Sequence, residues 1–101
     1  MTSSMPAARF GQSLRRRRRL AELSQKELAE LTQLGHMDIS AIERGQRVPR
    51  LDTIVKLAAG VEATTCDLLA GLRWRPGHFH YVEGGFYVEE GPASDTERVE
   101  R

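Results

Sequence analysis

The stretch SQKELAELTQLGHMDISAIERGQRVP, residues 24–49, decides how this chain folds. Ser24 followed three residues later by Glu27 is a capping box, so a helix starts here. Leu28, Leu31 and Thr32 recur at helical spacing and give that helix an inner side. A break around Gln33, Leu34 and Gly35 precedes a second short helix, HMDISAIERG, which buries Ile39 and Ile42 and stops at Gly45. Two short helices that cross steeply need a small residue where they touch, and Ala29 supplies it. Leu28, Leu34, Ile39 and Ile42 form the wedge that fixes the crossing angle. Pro49 punctuates the turn that follows.

Reading outward toward the N-terminus, residues 1–7 look like a frayed leader and helical periodicity takes over at Ala8. Phe10, Leu14 and Ala21 share one face. The run Arg15–Arg19 is conspicuous, but at 100° per residue its side chains spread around the helix and cannot form one patch. Arg17 and Arg18 flank the apolar face, whereas Arg15, Arg16 and Arg19 add a diffuse positive field. Reading the other way, LDTIVKLAAG is a fourth helix with Leu51, Ile54, Leu57 and Ala58 on its inner side. Thr64 and Asp67 open a short fifth helix running through DLLAGL, with Cys66 as a small buried or half-buried filler.

The composition changes after Leu72. HFHYVEGGFYVEE alternates, carries β-favouring aromatic and branched residues, and centres on Gly84-Gly85, which is a hairpin pattern. On that turn Tyr81 pairs with Val88 and Val82 with Tyr87, leaving both faces partly apolar. So small a hairpin is marginal alone. It packs on the helices through Trp74 and Phe79, or it joins a second subunit, in which case Tyr81, Val82, Phe86, Tyr87 and Val88 are the dimerisation candidates. The final GPASDTERVER is polar and loose in character. The expected architecture is all-α: a five-helix domain over 8–72, a β-hairpin appendage over 73–91 and a flexible tail over 92–101.

The 101 residues suit one small domain with an appendage, and 40% hydrophobic with 29% charged residues fits a globular protein. The formal net charge of +1 conceals an asymmetry. Residues 1–50 carry net +5 and residues 51–101 net −4, so a polyanionic partner should meet the first half. One cysteine excludes an internal disulfide and suits a reducing compartment. No apolar run approaches the roughly 20 residues of a membrane span, and MTSSMPAARF lacks the features of a secretory signal. Cytoplasmic localisation is the expectation. His78 and His80, with Glu83 nearby, are too few ligands for a metal site, and no nucleophilic arrangement or glycine-rich phosphate loop occurs. No cofactor and no enzymatic activity are expected, since little chain remains outside the helices to host an active site.

The arrangement of residues 24–49 closely resembles the helix-turn-helix of the Cro and phage-repressor superfamily, often called XRE-like. The matching residues are Leu23-Ser24-Gln25, Leu28-Ala29, Ile39-Ser40 and Ile42-Glu43-Arg44-Gly45, followed by Arg47 and Pro49. The likeness continues through LDTIVKLAAG and Cys66-Asp67-Leu68-Leu69, covering roughly Phe10 to Leu72. It implies that Gln25 clamps the DNA backbone and that His36, Met37, Ser40, Ala41 and Arg44 face the bases. It also implies a salt bridge between Arg18 and Glu43. Arg47 and Arg50, in the loop before the fourth helix, are candidate phosphate contacts. Gln25 independently sits at a helix start, where free backbone N–H groups and the helix dipole favour a phosphate.

The reading surface is weakly polar. It has no Asn or Gln for adenine, and only Arg44 can grip guanine in a bidentate way. Met37 and Ala41 suit thymine methyls, so modest direct readout joined to shape readout is expected. His36 is either a base reader or an exposed histidine at a loop end. Two positions depart from the family pattern: Gln33 and Glu62 stand where its turns usually hold glycine, with Gly35 and Gly60 two residues away. Either those turns shift or a side chain tolerates the left-handed region, at a cost of about 1 kcal/mol. The expected function is a sequence-specific DNA-binding transcriptional regulator, working on double-stranded DNA as a homodimer. The rival is an antitoxin or adaptor whose C-terminal extension binds a partner protein.

Overall fold

The computed structural model describes residues 4–78 and 83–89 and contains five helices followed by a two-stranded antiparallel sheet. Helix α1 spans Met5–Leu20, α2 Gln25–Thr32, α3 His36–Glu43, α4 Leu51–Gly60 and α5 Thr65–Leu68; strands β1 (Leu72–Arg75) and β2 (Gly85–Val88) follow. The chain divides into two compact units, residues 1–70 and 71–101.

Helix α1 begins at Met5, earlier than the expected Ala8. Ser4 caps it by accepting a hydrogen bond from the Ala7 backbone N–H, and Pro6 stands in the first turn, where its missing donor costs nothing. Ala7 is buried with Phe10, Leu14 and Arg18 on the same helical stripe. Both halves of the α2 capping box form: Glu27 N–H donates to Ser24 Oγ at 3.0 Å, and Ser24 N–H to Glu27 Oε1 at 2.8 Å. The same reciprocal pair, Thr64 with Asp67, starts α5, which ends at Leu68 and is shorter than the sequence suggests.

The helices enclose one core of Phe10, Leu14, Leu28, Ala29, Ile39, Ile42, Leu57, Ala58, Val61 and Leu68, against which Leu23, Leu34 and Ile54 pack from its edge. Two residues expected inside are outside. Leu31 is 62% exposed because Leu28, Ala29 and Thr32 already fill the inner face of α2, and Leu51, at the first position of α4, is 79% exposed. Cys66 is likewise exposed; Leu68 is the residue that α5 buries.

One turn geometry recurs. At Glu22, Gln33, Gly45 and Glu62 the backbone is left-handed, with φ of 60°, 60°, 74° and 59°. In each case the next residue returns its N–H to a carbonyl five residues back: Leu23 to Arg18, Leu34 to Ala29, Gln46 to Ala41 and Ala63 to Ala58. This is the glycine-type helix stop, satisfying carbonyls that a helix end leaves unpaired. Leu23, Leu34 and Ala63 also pack against the core, so hydrophobic contact holds the turn where the side chain is not glycine. Gln33 and Glu62 therefore tolerate the left-handed region and the turns do not shift. Gln33→Gly is expected to stabilise the chain by about 0.5–1 kcal/mol by relieving this strain, read as a higher urea midpoint at unchanged slope.

In the second unit β1 and β2 pair in the register Leu72–Val88, Arg73–Tyr87, Trp74–Phe86 and Arg75–Gly85. This corrects the expected hairpin: Val88 and Tyr87 face Leu72 and Arg73, and Gly85 begins a strand instead of forming the turn. Tyr81 and Val82 lie outside the described residues. The edge-on contact of Trp74 with Phe86, with centroids 4.9 Å apart, explains the preference. Cross-strand aromatic pairs stabilise a ladder more than aliphatic ones, and Trp74 supplies one. The alternation places Leu72, Trp74, Phe86 and Val88 on one face of the ladder, while Arg75 stacks over the Tyr87 ring on the other.

Candidate nucleic-acid interface

Helix α3 packs against α1 and α2 through Ile39 and Ile42, which leaves its N-terminal end and outer face to solvent. The α1–α3 approach is close because Gly11 carries no side chain: a Cβ there would lie 2.4 Å from the Ile42 carbonyl oxygen. The wedge of Leu28, Ile39 and Ile42 then fixes how α3 projects.

At the base of this arrangement sits a buried ion pair. Arg18 donates from Nε to Glu43 Oε2 at 2.5 Å and from Nη2 to Oε1 at 3.0 Å, and its Nη1 caps the Leu23 carbonyl at 2.8 Å. Arg15 approaches the same carboxylate at 3.5 Å, so this arginine is not merely part of a diffuse field. Arg17 pairs with Asp67 at 3.3 Å. Burial alone would push the Glu43 carboxyl up, but hydrogen bonds from Arg18 and Gln25 and the charges of Arg18 and Arg15 outweigh it, and the pKa falls below the ordinary value. Glu43 is therefore an ionised carboxylate with its side chain out of solvent.

Gln25, the first residue of α2, donates from Nε2 to Glu43 Oε1 at 2.9 Å, and its Oε1 lies 3.2 Å from His36 Nε2. His36 and Met37 are exposed at the start of α3, Met37 83% so. Gly35, ahead of them, offers no side-chain cap, and Asp38 is the acidic residue of the first turn. Ser40 and Ala41 are partly buried one turn further along. The guanidinium of Arg44 is held in place: Nη1 bonds Ser40 Oγ, while Nε and Nη2 reach Gln46 Oε1 at 3.2 and 3.1 Å. Arg47 bonds Asp38, and Arg50 lies 3.5 Å from Asp52.

The structure thus brings Gln25, His36, Arg18 and Glu43 into one connected group, and Ser40 with Arg44 into another. Arg50 stands apart, paired within its own turn. Sequence reasoning missed Gln46, which aligns Arg44; Asp38 as the partner of Arg47; and Arg15 as a second cation at Glu43. No linear signal marks Gln46, because it reaches Arg44 only through the left-handed turn at Gly45. Among the described residues no cluster of metal-ligating side chains occurs, and no helix is long and apolar enough to cross a membrane.

A helix-turn-helix domain family matches residues 9–70. Among solved structures, the restriction-modification controller protein C.AhdI from Aeromonas hydrophila is 39% identical, with a TM-score of 0.60 over 61% of this chain and 94% of that one. The hypothetical transcription factor NHTF from Neisseria is 31% identical, with a TM-score of 0.61 over 63% and 74% of the two chains. An HTH_3-family transcriptional regulator from Vibrio cholerae is 30% identical, with a TM-score of 0.61 over 63% of this chain and 36% of its own. No curated protein matches the chain. The family match runs from α1 through α5 and so includes α3, and the chain belongs to the XRE-like helix-turn-helix family of DNA-binding transcription regulators, which are not enzymes.

Proposed function

We propose that this chain is a sequence-specific regulator that binds duplex DNA in the cytoplasm as a homodimer, with α3 in the major groove. The observation that carries the reading is the exposed N-terminal end of α3, His36 and Met37, standing beside Gln25 at the N-terminus of α2. A helix end projected by a steep helix pair, next to a second helix start able to hold phosphate, is the geometry of a groove reader. His36, Met37, Ser40, Ala41 and Arg44 meet the bases; Gln25, Arg47 and Arg50 meet phosphates. A single domain gathers few phosphate contacts, so two copies reading half-sites roughly 34 Å apart supply the affinity. Phe86, Tyr87 and Val88, with Tyr81 and Val82, are the proposed dimer contacts.

Arg47 reaches phosphate by leaving Asp38, an exposed exchange between two modest ion pairs. Binding should fall steeply with salt. Arg47→Ala and Arg50→Ala should each weaken binding to all sequences and reduce the slope of log K against log salt by about 1. Duplex binding that is undetectable or independent of salt overturns the proposal. A second reading is favoured by the exposure of Trp74 and Phe86, 54% and 55%: the 71–101 unit takes a partner protein. Removing that unit separates the two. Loss of dimer and DNA binding together supports the homodimer, while retained DNA binding with loss of a captured protein supports the adaptor.

A further inference from the structure

One chain of hydrogen bonds at the reading end has a direction that its buried terminus dictates. Glu43 is ionised and out of solvent, so its oxygens only accept. The Gln25 group 2.9 Å away must therefore be the amide NH2, which turns the carboxamide oxygen toward His36. That oxygen also only accepts, so the His36 Nε2 at 3.2 Å carries the proton. A neutral imidazole protonated at Nε2 keeps a lone pair at Nδ1.

The geometry points to His36 as a positioning residue that donates from Nε2 to Gln25, holds the second amide N–H of Gln25 free for a phosphate, and turns a bare Nδ1 acceptor to the base it meets. The inference rests on the DNA-reading role proposed above and deepens it. In the major groove adenine and cytosine offer exocyclic amino donors, whereas guanine offers only acceptors. The His36 position accordingly favours adenine or cytosine and rejects guanine. Met37, the other exposed residue at the start of α3, is apolar and supplies no such acceptor. The phosphate clamp and the base preference are then two ends of one relay that begins at the Arg18–Glu43 pair. Losing His36 should damage both, and losing Gln25 should remove most of what His36 contributes to the clamp.

The test has one arm without DNA and one with it. Side-chain 15N NMR of the full chain in alkaline buffer should show His36 wholly as the Nε2–H tautomer and the Gln25 amide ordered. In His36→Ala the Gln25 amide should lose that order, and His36→Gln, which can donate to the same oxygen, should restore it. With DNA, His36→Ala should weaken binding to every duplex roughly fivefold and erase the adenine or cytosine preference at one position. The His36→Ala/Gln25→Ala double variant should be scarcely weaker than the worse single variant. His36→Gln should recover affinity and move that position to adenine. An Nδ1–H tautomer, a Gln25 amide indifferent to His36→Ala, or additive losses in the double variant would overturn the inference. Failure of the unmodified chain to bind any duplex overturns the DNA reading and the base preference with it, while the DNA-free arm still accepts or rejects the relay.

Discussion

Arg18→Met is expected to cost about 3–5 kcal/mol of folding stability, the largest effect of any single side-chain removal here. The substitution keeps the apolar stem of the side chain but strands Glu43, an ionised carboxylate with no solvent access. It also strips the Leu23 carbonyl of its Nη1 donor. A domain of this size is stable by about 5–15 kcal/mol, so the urea midpoint should fall by a large fraction. A loss below about 1 kcal/mol would show that Arg15, at 3.5 Å, compensates alone. Replacing both partners by apolar residues should return much of the stability, because the desolvation cost of both charges disappears with them. It should not return DNA binding, since Gln25 would have lost the acceptor that orients it. The same pair sets an acid limit. The folded pKa of Glu43 lies below its unfolded value, so its stabilisation is complete above the unfolded pKa of roughly 4.3 and is lost as pH falls through the folded one. Glu43→Gln should flatten the acid side of the stability profile, where the wild-type chain loses stability as pH falls below the unfolded value, measured by chemical denaturation.

Gly11→Ala should be nearly as harmful, at about 3 kcal/mol, although alanine is the better helix former by about 1 kcal/mol. The added Cβ would stand 2.4 Å from the Ile42 carbonyl oxygen and 2.6 Å from that of Glu43. Both obstacles are backbone, so neither can rotate away, and α1 and α3 must separate. That separation would pull Arg18 from Glu43 and tilt α3, so DNA affinity should fall along with the thermal midpoint. Gly85→Ala, with nothing within 4 Å of its added Cβ, is the control and should change stability by far less. Equal effects at the two positions would sink the explanation.

The domain was legible because its signals are local and repeated. Ser24 with Glu27 and Thr64 with Asp67 mark helix starts through contacts three residues long, and the apolar spacing of Leu28, Ile39, Ile42 and Leu57 needs only the helical period. The hairpin misled for the converse reason. Its Gly84-Gly85 pair imitates a two-residue turn, whereas the actual ladder joins Leu72–Arg75 to Gly85–Val88 across a longer connection and is chosen by the Trp74–Phe86 contact. Cross-strand partners that far apart leave no local spacing to read. Leu31, Leu51 and Cys66 were misplaced because helical periodicity offers several positions per turn, and only the neighbouring helices determine which of them are covered.

By itself, then, the sequence determined five helices, the capped starts of α2 and α5, and the helix-turn-helix family, since each depends on interactions within a few residues of chain. It also placed the positive charge in the first half. Only the tertiary structure decided that Gln33 and Glu62 hold left-handed turns as ordinary side chains, because core contacts made by Leu34 and Ala63 offset the strain. It alone tied Gln25 and His36 by hydrogen bonds, and Arg15 as a second cation, to the Arg18–Glu43 pair that the family resemblance implies, so that residues of three helices meet. Periodicity predicts which face a residue occupies. Which polar groups meet across that face depends on how closely the helices approach, and here a single glycine, Gly11, sets that distance for α1 and α3.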